Sequence, residues 1–386
     1  MPQDANSAAA TDQPVRTVLT DPEQSTVTEG IALCLSGGGY RAMLFHLGSL
    51  WRLNEVGLLS QLDRISSVSG GSIAAGMLGL QWNNLRFENG IAQEFVDRVV
   101  TPTRALADHT IDLKSIAFGA VNPFKHVADE IADAYRSHLF GSATLQDLPE
   151  TPRFVINATN VQSKVLWRFS RPYAWDYRVG EIDHPKIELA VAVGASSAFP
   201  PMLSPVTLTF DHEDFVPNTG VDLQKPPYTT RVLLTDGGVY DNIGLETAWK
   251  QFSSILVSDG GGLASDEPEP HTDWARHAYR VLEIIDNQVR SLRKRQVIDA
   301  FIRGEKRGTY WGIRTDIDDY HIDSLACSLA STTALANVGT RLKQLDDVTQ
   351  RRLINWGYAV CDAALRAHFK ELLPPCLLYT SDAADE

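Results

Sequence analysis

Cysteine is scarce in this chain of 386 residues: there are four, at positions 34, 327, 361 and 376, and none falls in CxxC spacing. That pattern supplies neither a disulfide framework nor a zinc site, so a reducing, cytoplasmic setting is the expectation. No apolar run reaches the roughly eighteen residues that a membrane-spanning helix needs. Residues 1–29 are polar and lack the basic start and apolar centre of a secretory signal. They read as a disordered extension, and export without a cleaved signal stays open. Positive charge is in short supply too. A net charge of −13 argues against nucleic acid as a partner, since nucleic-acid binders carry a basic excess. It still allows local basic patches to meet a membrane surface. No metal-ligand cluster stands out; Asp316, Asp318 and Asp319 resemble part of a calcium loop whose glycine and distal glutamate are missing. Neither a metal nor a cofactor is expected.

What is present is a globular composition, 44% hydrophobic and 22% charged, in a length that suits one large domain or two ordinary ones. Short apolar, β-branched runs at 31–35, 64–68, 154–158, 165–169, 206–210, 232–234 and 255–257 read as strands, and 40–54 and 70–81 read as helices. Such alternation predicts an α/β fold with a mainly parallel sheet and a site at the carboxyl ends of its strands. Beyond Trp274 the pattern changes. Val281, Ile285, Val289 and Leu292 recur at helical spacing, 310–313 reads as one more strand, and 337–343 and 348–369 read as helices. The Pro- and Gly-rich stretch 217–228 reads as a loop and a candidate lid. The expected organisation is an extension (1–29), an α/β catalytic unit (30–265), a mainly helical region packed on it (266–375) and a tail (376–386). The tail resembles a translated sequencing adapter and is excluded from the fold.

Two fragments carry chemistry. Ser67-Val68-Ser69-Gly70-Gly71 follows a strand and opens a helix, and Gly37-Gly38-Gly39-Tyr40-Arg41 follows the first strand. A serine on a sharp strand-to-helix turn is a nucleophile's position, and a separate glycine loop offers bare N–H groups to an oxyanion. The usual elbow has glycine where Ser67 stands, and the alternative for Ser69 is a helix N-cap. Ser72, nearby, fits the first helical turn better. The glycine loop does not suit a polyphosphate, because no Lys-Ser/Thr pair completes a P-loop and no G-x-G-x-x-G spacing occurs. Arg41 is expected to steady the loop through carbonyl hydrogen bonds or to pair with an acid.

A nucleophilic serine needs a base. Asp236, in Leu234-Thr235-Asp236-Gly237-Gly238, ends an apolar strand and is the leading candidate; Asp259, before Gly260-Gly261-Gly262, is its rival. For either, a strand-end aspartate that caps a turn is the bland alternative. The order Ser69, Asp259, His271 would match a hydrolase triad, although His271 lies in a polar, proline-flanked stretch. His46 is read as packed or capping. The run Arg290, Arg293, Lys294, Arg295, with Arg303, Lys306 and Arg307 beyond it, is read first as a solvated helix face and second as a surface for anionic headgroups.

Taken together, Gly37-Gly38-Gly39-Tyr40-Arg41-Ala42, the turn at Ser69 and Asp236-Gly237-Gly238 resemble the patatin-like phospholipase family over residues 30–262. Supporting stretches are Ala158-Thr159-Asn160, Trp167-Arg168-Phe169 and Ala195-Ser196-Ser197-Ala198-Phe199-Pro200-Pro201. The resemblance implies a three-layer α/β/α sandwich and a Ser-Asp dyad without a catalytic histidine. It makes Ser69 the nucleophile and Asp236 the base. Gly37, Gly38 and Gly39 then supply the oxyanion N–H groups, joined by Gly70, with Arg41, Gly237 and Gly238 in support. The substrate it implies is a phospholipid or another fatty-acyl ester, met in transient contact with a membrane surface. A carboxylate serving as base should be desolvated, because burial raises a pKa that is ordinarily about 4.

Overall fold

The structure is a computed structural model that describes residues 28–111, 127–201, 203–262 and 266–369. The tail at 376–386 and all but Thr28 and Glu29 of the expected extension lie outside the described residues; those two residues open the first strand. In that strand, β1 (Thr28–Leu35), Leu33 and Leu35 belong to one buried apolar cluster while Ala32 and Cys34 belong to another. Side chains alternate along a strand, so both of its faces are covered, as a central strand of a layered α/β protein requires.

The other strands of the sheet are β2 (Arg64–Val68), β3 (Arg153–Asn160), β4 (Val165–Phe169), β5 (Tyr173–Asp176), β6 (Gly180–Asp183), β7 (Val206–Thr209), β8 (Arg231–Asp236), β9 (Phe252–Asp259) and β10 (Arg307–Gly312). Neighbours run in the order β10-β9-β1-β2-β3-β4-β5-β6. The strands from β10 to β3 are mutually parallel and form the centre; β4, β5 and β6 continue it as an antiparallel meander. The pair β7–β8 is antiparallel and joins through β8 to β3. Strands β5 and β6 carry no run of alternating apolar residues long enough to be read from sequence. The candidate lid at 217–228 is irregular, and it is fastened to the β5–β6 turn by Val221 N–H to the Tyr177 carbonyl (3.0 Å) and by the Arg178–Asp222 pair (2.6 Å).

Helices cover both faces. On one lie α1 (Gly39–Glu55), α2 (Gly70–Gln81), α3 (Val127–Tyr135) and α4 (Leu189–Ser196); on the other α5 (Trp274–Ile302) packs through Val297. The region after 266 is woven into this architecture, since β10 extends the sheet beside β9. Two differences from the sequence reading occur here. The helix expected at 337–343 is instead α6 (Leu329–Ala336) followed by irregular chain that lies against Gly39 and Tyr40. In α5, Val281, Leu282, Ile285 and Leu292 are exposed, because the helix meets the sheet through its carboxyl half. No helix among the described residues is long and apolar enough to cross a membrane.

The last helix, α7 (Asp347–His368), crosses α1 with their backbones in contact. A Cβ on Gly48 would overlap the Ile354 carbonyl oxygen, and one on Gly357 would overlap that of Phe45. This approach lets Ser49 Oγ donate to the Gly357 carbonyl (3.1 Å) and buries the ion pair Arg52–Asp362 (2.7 Å). Overpacking such a contact costs about 1–3 kcal/mol. Gly48→Ala or Gly357→Ala should therefore lower unfolding stability by about that amount in urea titration. Gly339→Ala, where a Cβ meets nothing within 4 Å, should be close to neutral.

Candidate active site

Strand β2 and strand β8 approach each other along one edge of β3. Val68, the last residue of β2, pairs with Asn157, and Asp236, the last of β8, pairs with Ala158. The opposite edge of β3 is occupied by β4 from Ile156 to Asn160, so β2 and β8 share the remaining edge and end against each other. Ser69 follows Val68 directly. The carboxyl end of a parallel strand thus abuts the end of an antiparallel one, and the serine hydroxyl and aspartate carboxyl come together where both chains turn away.

Ser69 holds φ 49° and ψ −117°, a conformation that L-residues avoid at a cost of about 1–3 kcal/mol. Several bonds keep it there. Its N–H donates to Ser196 Oγ (2.9 Å), which itself donates to the Asn157 carbonyl (2.7 Å). Its own carbonyl accepts the N–H of Ser72 (2.8 Å). The glycines after it are required by close approach: a Cβ on Gly70 would overlap the Gly39 carbonyl oxygen, and one on Gly71 would stand 2.6 Å from that of Leu35. Ser67, in the place of the usual glycine, accepts a hydrogen bond from the Ser72 hydroxyl (3.0 Å), so there is room for its side chain. Ser72 also meets Ser196 Oγ (2.9 Å) and lies beneath the turn.

Asp236 is 2% exposed. Burial raises its pKa from 3.8 to about 7, against the pull of the Gly238 N–H bond (2.7 Å) and of a hydrogen bond from Ser69; Asp286 pushes it slightly further up. Its N–H donates to the Ala198 carbonyl (2.9 Å) and the Gly237 N–H to that of Ser196 (3.3 Å). Residues 196–198 therefore brace both turns at once. Gly237 has no room for a Cβ beside the Asn157 carbonyl.

The glycine loop lies against the serine: a Cβ on Gly37 would sit 3.2 Å from that of Ser69. Gly38 (φ 146°) and Gly39 (φ 61°) hold backbone conformations that need glycine. Among the described residues, the N–H groups of Gly38, Gly39 and Gly70 have no acceptor, while Gly37 requires a correction. Its N–H donates to the Asn242 carbonyl (2.9 Å) and is not free for an oxyanion. Asn242, which sequence reasoning missed, places its side-chain oxygen between Gly37 and Gly238. Its only sequence signal is a polar residue shortly after the Asp-Gly-Gly turn.

Arg41 is 2% exposed and bonds carbonyls, not an acid: Nε to that of Gly260 (3.1 Å) and Nη1 to that of Val338, with Nη2 on Thr340 Oγ1 (2.8 Å). It ties the glycine loop to the turn after β9 and to the chain after α6. His46 is fully buried between Ser258 Oγ (2.8 Å) and the Ser36 carbonyl (2.9 Å), and burial lowers its pKa to about 4, so it stays neutral. The triad alternative fails on geometry. Asp259 gives Oδ1 to the Gly261 N–H (2.9 Å) and Arg290 (3.2 Å) and Oδ2 to the Tyr310 hydroxyl (2.7 Å). His271 is exposed beside Arg276. Nor is the basic run a solvated face throughout, for Arg290 pairs with Asp259 and Arg293 with Glu246 (2.9 Å). Asp316 caps the turn Ile317–Tyr320 through the Asp318 N–H (3.2 Å).

The model of the patatin-like phospholipase family matches residues 33–249, more than half of the chain, and spans the glycine loop, Ser69 and Asp236. The chain belongs to the patatin-like phospholipase family. Comparison with curated proteins gave no match. Among solved structures, human GIVD cytosolic phospholipase A2 is similar at TM-score 0.50 and 11% identity, with 89% of this chain and 63% of that one covered. The same human protein in complex with methyl gamma-linolenyl fluorophosphonate inhibitor and terbium chloride gives 0.50 and 14%, over 89% and 60%. This patatin-like chain thus spans less than two thirds of those chains, and at these identities the likeness concerns the α/β/α fold.

The raised pKa of Asp236 has a consequence for stability. The folded state holds its proton up to about pH 7, whereas the unfolded chain releases it near 3.8. Its contribution is fully present below the unfolded value and is lost as pH rises through the folded one. Asp236→Asn keeps an acceptor for Gly238 and removes the buried charge. Thermal denaturation should find the variant more stable than the parent above pH 7, with the gap closing toward pH 4; a gap independent of pH would contradict the assignment.

Proposed function

We propose that this protein is a lipid acyl hydrolase in which Ser69 attacks a fatty-acyl ester and Asp236 takes its proton. The observation that carries the reading is the abutment of two strand ends on β3, which leaves a strained serine and a buried carboxyl side by side with, among the described residues, no histidine between them. As Ser69 Oγ bonds to the ester carbon, its proton passes to the Asp236 carboxylate and the carbonyl electrons move onto oxygen. That oxyanion is met by the N–H groups of Gly38, Gly39 and Gly70, donors of a kind each worth roughly 10²–10³ in rate in other acyl-transfer enzymes. Collapse breaks the ester bond, and the leaving alcohol takes the proton from Asp236. Water then attacks the acyl-enzyme with Asp236 again as base, restoring the Ser69 hydroxyl.

A phospholipid or lysophospholipid is the substrate class assigned, reached during transient contact with a bilayer or micelle. Family membership supports it. So does the lipid-chain fluorophosphonate held by the human cytosolic phospholipase A2 that shares the fold. No metal or cofactor enters any step.

Asp236 must be ionised to act as base, so kcat/KM on a phospholipid should climb with pH and level off above about 7. Ser69→Ala should be inactive, and Asp236→Asn should fall by about 10³-fold or more. Product analysis across a lipid panel measures both and identifies the bond cut. Retained hydrolysis in Ser69→Ala would end the proposal, and a panel without turnover would favour an idle lipid-binding protein.

A further inference from the structure

At the carboxyl ends of β9 and β10, one glycine turn away from the Gly37–Gly39 loop, lies a cavity of about 230 Å³ lined by Arg290, Lys294 and Arg314. Asp259 is the one carboxylate in its wall, and both its oxygens are already occupied by Tyr310, Gly261 and Arg290. Beside Asp259, Asp286 is the acid whose field acts most on Arg290. A fourth cation stands behind the turn: a Cβ on Gly262 would meet Arg41 Nη1 and Nη2 at 2.9 Å, and one on Gly261 would overlap Arg290 Nη2. The guanidinium groups work against each other. Burial and then the field of Arg290 lower the pKa of both Arg41, to about 10, and Arg314.

A structural ion-pair cluster balances its charges, and this one does not. Its hydrogen bonding is also incomplete, since Arg290 Nε and Asn287 Oδ1 are buried with no partner. Arg314 and Lys294 stand at the rim, the latter with its ammonium 4.7 Å from the Tyr310 ring centroid. Planar guanidinium forks with an ammonium nearby match the geometry and charge of a tetrahedral oxyanion.

We propose that this cavity is a binding site for a phosphate-type anion, held by Arg290 and Arg314 with Lys294 as the third charge. The chemistry is the same for the phosphate of a phospholipid headgroup and for free inorganic phosphate. A headgroup source rests on the hydrolase reading above; the site itself does not. Its position suits a headgroup, because only a few bonds of glycerol separate the ester of a phospholipid from its phosphate.

The test uses the full chain and inorganic phosphate, with chloride at equal ionic strength as control. Phosphate should raise the melting temperature saturably, and Lys294→Ala/Arg314→Ala should weaken its apparent affinity by about tenfold or more. Both side chains are exposed, so the variant removes no core residue and gives up only the Lys294–Tyr310 contact and the Arg314 bonds to Asn337 Oδ1 (2.9 Å) and the Ala336 carbonyl (3.4 Å). No saturable rise over chloride, or an undiminished one in the double variant, would overturn the site. With binding found, a higher KM for phospholipid but not for a neutral fatty-acyl ester in the variant identifies the headgroup, and unchanged KM values identify free phosphate. Since melting does not depend on turnover, an inactive protein that phosphate stabilises would sink the hydrolase reading and leave the site standing.

Discussion

The edge of β3 that carries both Val68 and Asp236 is the constraint on which the rest depends. Asn157 and Ala158 are consecutive, so β2 and β8 can occupy that edge only by ending against each other. Both chains must then leave the sheet at once, and glycines follow each departing residue because neighbouring carbonyls leave no space for a Cβ. The glycine loop after β1 closes the third side. What looks in sequence like separate glycine-rich motifs is one packing problem, in which three turns share a volume that admits almost no side chains.

That arrangement costs stability in two places. Ser69 carries backbone strain, and Asp236 is a carboxyl held where its charge is disfavoured. Residues 196–198 offset part of both costs. Ser196 bonds the Ser69 N–H and the Ala198 carbonyl bonds the Asp236 N–H, so one short segment fixes the two turns relative to each other. Their support is itself built into the sheet, since Ser196 also donates to the backbone of β3. Ser69 and Asp236 are thus held in place by bonds within the folded chain itself.

Much of this was legible from residue patterns alone. The strands 64–68 and 165–169 and the helix 70–81 have the bounds read from sequence, because apolar periodicity and the Ser-Gly-Gly and glycine signals coincide there. The short strands β5 and β6 were not legible, since the pairing of a meander depends on its neighbours more than on its own residues. The chain at 337–343 has helical composition but trades helix bonds for tertiary ones: the Arg341 carbonyl accepts the Tyr40 N–H (3.1 Å) and Val338 accepts Arg41. Local glycine context could not separate Asp236 from Asp259 either. That took the partners, because the Asp259 carboxylate is engaged by the charge of Arg290 and the hydroxyl of Tyr310 whereas Asp236 is left with Gly238 and Ser69. Similarly, nothing near Gly37 in sequence reveals that Asn242, two hundred residues on, takes its N–H.

The most direct test of the central claim, that Ser69 is activated by the abutting Asp236, is to react the full chain with a lipid-chain fluorophosphonate at pH 8 and locate the adduct by peptide mass spectrometry. The account predicts a single adduct on Ser69, lost in Asp236→Asn and undiminished in His271→Ala. An adduct on another serine, or full labelling of Ser69 without the Asp236 carboxylate, would contradict it.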